Sequence, residues 1–301
     1  MQKEPNNKIN DFEGEANLKD FFSILYLGKW LFISITFLAA TMGVIYSLLL
    51  PNIYESKALL VPVNSSGGVS GALQNYSGLA GLAGISLASS NDEGNSAKAI
   101  KKIGSLSFFE NNIITNINPL DLMAVKSWDQ ETNKLFYDEG VYRKKKIPST
   151  QLGFEKFTTK HLSLNEDKKS GFITLSIKHQ SPFVAKQWAE LVITEVNSFY
   201  RQKDKAESEK AVGYINQQIS MTGFSEIKQV LAQLLQEETK KLILIEANKS
   251  YVFDYIDPPA VMEKKSEPKR FFIVVLSTLL GIVLSTLLVL VRHYIYPKKV
   301  L

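Results

Sequence analysis

The chain has 301 residues, a net charge of +5 and no cysteine. Disulfides, thiolate nucleophiles and cysteine-based metal sites are therefore excluded. The positive charge is modest and dispersed, and no nucleic-acid-binding module is visible in it. Its densest run, Arg143-Lys144-Lys145-Lys146 beside Pro148, is open to two readings: a solvated loop face, or a contact for polyanions or lipid headgroups.

A polar tail, 1–29, precedes an uncharged apolar run at 30–50 (WLFISITFLAATMGVIYSLLL). A second such run lies at 271–291 (FFIVVLSTLLGIVLSTLLVLV) and is followed by a short tail, 292–301. As a helix each run spans roughly 32 Å, enough to cross a bilayer core. The first is too long for the core of a cleaved signal peptide, so it is expected to be a retained anchor. Two spans place everything from 51 to 270 on one side of the membrane and both tails on the other. The long loop translocates regardless of its charge, so the tails are assigned to the inside.

Each run carries a ridge of small residues spaced by four. Ala39, Gly43 and Ser47 form one ridge, and Ser277, Gly281 and Ser285 the other. Such ridges let another helix backbone approach closely, so the spans are expected to pack on each other or on a partner's helices. Neither run has an ionisable residue at membrane depth, which argues against a solute or proton pathway.

Between the spans, 53–63 (IYESKALLVPV) reads as a strand, with Pro62 marking an edge or an end. A Gly/Ser-rich tract at 64–97 follows, with Gly78, Gly81 and Gly84 recurring every third residue. It lacks the Gly-Lys-Ser/Thr of a phosphate loop. It is a flexible loop or an apolar-tipped loop that packs on a neighbour. The spacing at 96–114 predicts a helix capped by Ser96, with Ile100, Ile103, Leu106 and Phe109/Glu110 on one face. Residues 116–150 give no clear pattern. Residues 171–180 (GFITLSIKHQ) alternate, with Ile173, Leu175 and Ile177 on the buried face of a strand.

Ser181-Pro182 then caps and opens the longest helical pattern of the chain. Ala185, Ala189, Val192, Val196 and Phe199 recur at 4-3-4-3 spacing, widened by Trp188 and Leu191. The pattern turns polar on every face from 201 to 210, so the helix is expected to leave its core and continue to Met221. Thr222-Gly223 breaks it. A second helix, from about Ser225 to Asn248, returns with Ile227, Val230/Leu231, Leu234/Leu235, Leu242 and Ile245 on one side. The two make a hairpin arm, 182–248. Residues 251–256 read as a closing strand, and Pro258, Pro259 and Pro268 stiffen the approach to the second span at 257–270.

No catalytic constellation emerges. His161, His179 and His293 lack metal-ligand spacing, His179 reads as a structural or exposed residue, and the carboxylates are scattered. The chain is read as non-enzymatic, with no cofactor and no metal.

Several extended stretches are similar to one known family: 18–30 with the strand at 54–63, SGLAGLAGISL, SPFVAKQWAELVITEVN at 181–197, VLAQLLQEETKKLILIEANKSYVFDYIDPPAV at 230–261 and EKKSEPKR at 263–270. Together they resemble the Wzz-type chain-length determinants, the polysaccharide co-polymerases. The resemblance implies an α+β fold: a membrane-proximal mixed α/β base (51–180 and 250–257) with a long projecting helical hairpin arm, flanked by two transmembrane helices. It implies residence in the inner membrane of Gram-negative bacteria, with 51–270 periplasmic and both tails cytoplasmic. It further implies a ring-shaped homo-oligomer that sets the modal length of lipopolysaccharide O-antigen with the membrane polymerase, and in which the growing glycan is a further candidate partner. The family has no catalytic residues to carry over, and its proline-rich segment falls on Pro258, Pro259 and Pro268. The subgroup with a fused cytoplasmic kinase is not expected, since no nucleotide motif occurs in either tail. In a ring, Arg201, Lys203, Asp204, Lys205, Glu207, Glu209 and Lys210 would pair between neighbouring arms. Alternatives are a regulator of enterobacterial common antigen or capsule, a two-span sensor, or an export adaptor.

Overall fold

The β-branched and apolar alternation of residues 54–62 and 173–179 builds the centre of a four-stranded antiparallel sheet. The computed structural model describes residues 18–63, 92–138, 140, 149–248 and 250–295. The Gly-rich tract up to 91, with its repeat at Gly78, Gly81 and Gly84, lies outside them, as do the basic run at 143–146 and the tails at 1–17 and 296–301.

The elements are α1 (Leu18–Leu27), α2 (Lys29–Leu49), β1 (Tyr54–Pro62), α3 (Asp92–Ile103), α4 (Leu106–Phe108), α5 (Pro119–Met123), β2 (Val125–Asp129) and β3 (Lys134–Tyr137). They continue with α6 (Thr150–Lys156), β4 (Leu162–Glu166), β5 (Ile173–His179), α7 (Pro182–Met221), α8 (Ser225–Ala247), β6 (Phe253–Asp257) and α9 (Arg270–Ile295). Helices α4 and α6 each run on into a π-helical turn, Phe109–Ile113 and Phe157–His161. The chain divides into two compact units, Met1–Leu50 with Glu267–Leu301, and Pro51–Ser266.

In Pro51–Ser266 the sheet order is β4-β5-β1-β6. Register sets one face. Ala58 pairs with Leu175, Leu60 with Ile173, Ser56 with Ile177 and Tyr54 with His179. All eight are buried. The first half of α7 covers that face with Ala185, Trp188, Ala189, Val192, Ile193 and Val196, joined by Ile103, Phe108, Phe109, Ile113 and Phe157 from the shorter helices. Each fully buried aliphatic side chain contributes about 1.5–3 kcal/mol, so this face holds the unit together.

The predicted single helix at 96–114 is corrected. Helix α3 begins at Asp92, and Ser96 is buried within it rather than capping it. The helix stops at Ile103 because Ser105 starts a new one: its hydroxyl accepts from the Phe108 amide at 3.3 Å. The restart shifts the phase, so Phe108 and Phe109 are both buried while Glu110 is exposed. The unreadable stretch at 116–150 holds α5, capped by the Asn118 carboxamide, and the β2–β3 hairpin, whose turn places Asn133 at φ 51°.

The return from the arm is fixed by Asn197 of α7. Its Oδ1 accepts from the amides of Val252 (2.8 Å) and Phe253 (2.9 Å), and its Nδ2 donates to the Phe253 carbonyl (2.9 Å). One side chain thus takes the place of a neighbouring strand. Beyond β6 the chain runs back beside β1: Ser56 Oγ donates to the Ala260 carbonyl at 2.8 Å and the Ser266 amide to the Ile53 carbonyl at 2.8 Å.

Candidate functional site: paired apolar helices and a helical hairpin arm

Helices α2 and α9 are both long and apolar enough to cross a membrane. Their charge-free sequences account for this, and α9 extends past the predicted run at both ends, from Arg270 to Ile295. They meet through small residues. A Cβ on Gly43 would overlap the Ser277 hydroxyl and come within 2.7 Å of Ser277 Cβ. One on Gly281 would lie 2.6 Å from Ala39 Cβ and 3.3 Å from Thr36 Cα. The Thr36 and Ser285 hydroxyls are 3.2 Å apart, in hydrogen-bonding contact. Ser47 and Ser285 are buried, whereas Phe37, Leu38, Met42, Leu284 and Leu288 on the outer faces are exposed.

The hydroxyls at this seam are also satisfied within their own helix: Ser277 Oγ donates to the Val274 carbonyl and Ser285 Oγ to that of Ile282, each at 2.9 Å. Thr36 and Gly28 were not singled out from the sequence. Gly28 approaches Val289 closely, with a Cβ there only 2.6 Å from Val289 Cγ1. The signal for both was present: Thr36 lies one turn before Ala39/Ala40 on the same face, and Val289 continues the four-residue spacing of Ser277, Gly281 and Ser285.

In the arm, α7 runs 40 residues, about 60 Å, from a cap in which Ser181 accepts from the Val184 amide. Beyond the sheet its helical neighbour, among the described residues, is α8. The seam is narrow: Ser208 and Ile215 of α7 and Ile245 of α8 are buried, with Leu231, Leu235, Glu238 and Leu242 half-buried. Ile227, Val230 and Leu234, expected on the same side, instead face outward at 49%, 59% and 45% exposure. The reason is geometric. A two-helix contact buries only one row of positions per helix, and the stripe of α8 is wider than that. At the tip, Met221 and Phe224 are exposed.

The polar arm residues are largely committed within the chain. Arg201 Nη2 donates to the Asn248 carbonyl at 2.7 Å, and the Tyr251 hydroxyl donates to Asp204 Oδ2 at 2.5 Å. Lys205 pairs with Glu246, and Lys203 with Glu207 at 3.7 Å, one turn away. Glu209 and Lys210 are exposed on α7. Burial and the Asp204 carboxylate push the Tyr251 phenol above its ordinary range. Pro258, Pro259 and Pro268 lie on the irregular segment between β6 and α9. Of the histidines, His179 is buried rather than exposed, and it meets His161 beside Trp188. Among the described residues no group of three His, Asp or Glu is placed to hold a metal ion.

An α+β unit with a helical hairpin, joined at both ends to apolar helices, defines a membrane-anchored architecture. Residues 14–104, spanning α1, α2, β1 and α3, match the family model described as "Chain length determinant protein". Residues 225–294, spanning α8, β6 and α9, match the model described as "G-rich domain on putative tyrosine kinase". The chain carries the domain of the chain-length determinant family, and the resemblance read from its sequence holds.

Among solved structures, the chain is similar to a full-length bacterial polysaccharide co-polymerase at 15% identity, over 94% of this chain and 99% of that one, with a TM-score of 0.41. It is also similar to a fragment of WzzB, a polysaccharide co-polymerase from Salmonella Typhimurium (13% identity, 72% and 100% coverage, TM-score 0.32). A third is a lipopolysaccharide O-antigen chain-length regulator from Shigella flexneri (12% identity, 71% and 100% coverage, TM-score 0.28). No curated protein sequence matches.

Proposed function

We propose that this protein is a non-enzymatic regulator of lipopolysaccharide O-antigen modal length in the bacterial inner membrane. In this reading residues 51–270 are periplasmic, both tails are cytoplasmic, and the protein acts as a ring-shaped homo-oligomer with the membrane polymerase, close to the growing glycan. The observation that carries the reading is the chain-length determinant match over α2 and β1, which joins a membrane-spanning helix directly to the external domain. The test is to delete the gene and size lipopolysaccharide, enterobacterial common antigen and capsule separately. A change confined to O-antigen length supports the proposal. A change confined to either other polymer overturns the O-antigen assignment.

The outward stripe of α8 supports self-association. Ile227, Val230 and Leu234 form one exposed apolar row on a surface helix. A contact that buried this row would stabilise an oligomer by roughly 1 kcal/mol or more per side chain. Leu234→Lys is therefore expected to lower the oligomer mass seen by light scattering in detergent while leaving the helical content seen by circular dichroism unchanged. An unchanged mass would exclude this row from the interface.

A further inference from the structure

Two buried histidines stand outside everything described above. His179, at the end of β5, is 2% exposed, and its ring is bonded on both sides. The Ser181 amide donates to its Nδ1 at 3.0 Å, so that nitrogen carries no proton. The proton sits on Nε2, which donates to the Asp121 carbonyl at 3.0 Å. His161 closes the π-helical turn after α6. Its Nδ1 donates to the Lys178 carbonyl at 2.7 Å, while its Nε2 is buried and, among the described residues, has no hydrogen-bond partner. The rings lie 5.7 Å apart, and both pack edge-on to Trp188 of α7, at 5.3 and 5.0 Å.

The bonds of His179 join two elements. Ser181 is the N-cap of the arm helix α7, and Asp121 belongs to α5. Two more side chains hold neighbouring carbonyls of the same segment: Lys156 Nζ donates to Met123 at 3.1 Å and Gln180 Nε2 to Val125 at 3.1 Å. We propose that His179, packed with His161 on Trp188, is an acid-sensitive latch that ties the first turn of the arm to the α5–β2 segment only while its ring is neutral.

The chemistry follows from the donors. A proton on His179 Nδ1 sets an N–H against the Ser181 N–H, and the bond that positions the cap is lost. A proton on His161 Nε2 gives that nitrogen a donor for the nearby Leu122 carbonyl, but places a charge beside the second ring. No counter-ion faces the pair among the described residues. The Asp121 carboxylate turns away, accepting from the Tyr137 hydroxyl at 2.7 Å and from Asn118 at 3.1 Å. Lys156 of α6, itself beside Lys160, adds a positive charge that acts on both rings. Burial, first, and these charges lower both histidines below the ordinary value of 6.5, His161 to about 4. A depressed folded-state value means that the unfolded chain binds protons first as pH falls. The latch is thus complete above about pH 6.5 and is lost as pH falls toward the folded-state values.

The test is hydrogen exchange on the full-length protein in lipid nanodiscs, corrected for intrinsic rates, from pH 7.5 to 4. Protection of the first turn of α7, residues 181–185, is expected to fall by about tenfold or more over that range, the size of shift that one pH unit of linkage produces. His179→Asn keeps an acceptor near the Nδ1 position and cannot take a proton, so protection should become independent of pH. A flat profile in the wild-type protein, or an unchanged acid response in His179→Asn, overturns the proposal. A second readout needs no variant: the imidazole ¹⁵N shifts of His179 at pH 7.5 must report the neutral Nε2–H tautomer, and an Nδ1–H or charged ring contradicts the latch.

Discussion

Asn197→Leu is expected to destabilise the Pro51–Ser266 unit by about 3–5 kcal/mol, because it leaves three buried backbone groups without partners. Val252 and Phe253 are 6% and 1% exposed, so water cannot replace the lost carboxamide at their amides or at the Phe253 carbonyl. Leucine keeps the number and branching of asparagine's side-chain heavy atoms but none of its hydrogen-bonding groups, so the loss is chiefly one of hydrogen bonds. The effect also reaches the topology. Residues 252–253 lead out of the arm into β6, whose one sheet neighbour among the described residues is β1. Without Asn197, β6 keeps its short pairing with β1, irregular between Leu59 and Leu60, and the return segment keeps the α7 bonds of Asn248 and Tyr251. Denaturant unfolding of the purified protein measures the cost. Ser198→Ala, one residue on, is the control and should shift stability by less than about 0.5 kcal/mol. A loss below about 1 kcal/mol for Asn197→Leu would mean that the return strand is held elsewhere.

The second large effect is expected at the helix seam. Gly43→Leu puts a branched side chain where even a Cβ overlaps Ser277, so α2 and α9 must separate or rotate. Overpacking of this kind costs about 1–3 kcal/mol, and inside a membrane no compensating hydrophobic gain offsets it. The natural absence of cysteine makes the test clean. A Thr36→Cys, Ser285→Cys pair replaces two hydroxyls 3.2 Å apart and should form an intrachain disulfide on mild oxidation. Adding Gly43→Leu should reduce its yield several-fold, whereas adding Met42→Leu, on the exposed face, should not. Equal yields in the two backgrounds would refute close packing at this position. A disulfide that appears only between chains would assign the seam to neighbouring subunits.

The parts of this chain that follow a single period were legible in its sequence. Helix α7 announced itself through Ser181-Pro182 and a 4-3-4-3 stripe, and strand β5 through strict alternation, because each buries one face against one neighbour. The small-residue spacing of Gly43, Ser277 and Gly281 marked positions where, in the structure, two backbones come close. Legibility failed where local chemistry overrides the period. Ser105 restarts a helix and shifts its phase, so Phe108 is buried while Glu110, expected on the apolar face, is exposed. On α8 the stripe was visible, but which half of it faces α7 depends on the partner helix. Asn197 and the His161–His179 pair were invisible for a different reason. Their partners lie 55–56 and 17–58 residues away in sequence, so no local pattern carries them.

On the proposed reading, the architecture suits a regulator of polymer length. Helices α2 and α9 are apolar enough to anchor the chain, β1 and the Ser266–Ile53 hydrogen bond bring the two approaches to them together, and the arm presents an exposed apolar row. The central claim concerns polymer length, and one measurement addresses it most directly. The gene is deleted and then restored on a plasmid, and the lipopolysaccharide of each strain is resolved by gel electrophoresis. Loss of the clustered band lengths on deletion, with polymer still made, and their return on re-expression is the predicted result. Unchanged banding, or complete loss of polymer, would contradict a role in setting chain length.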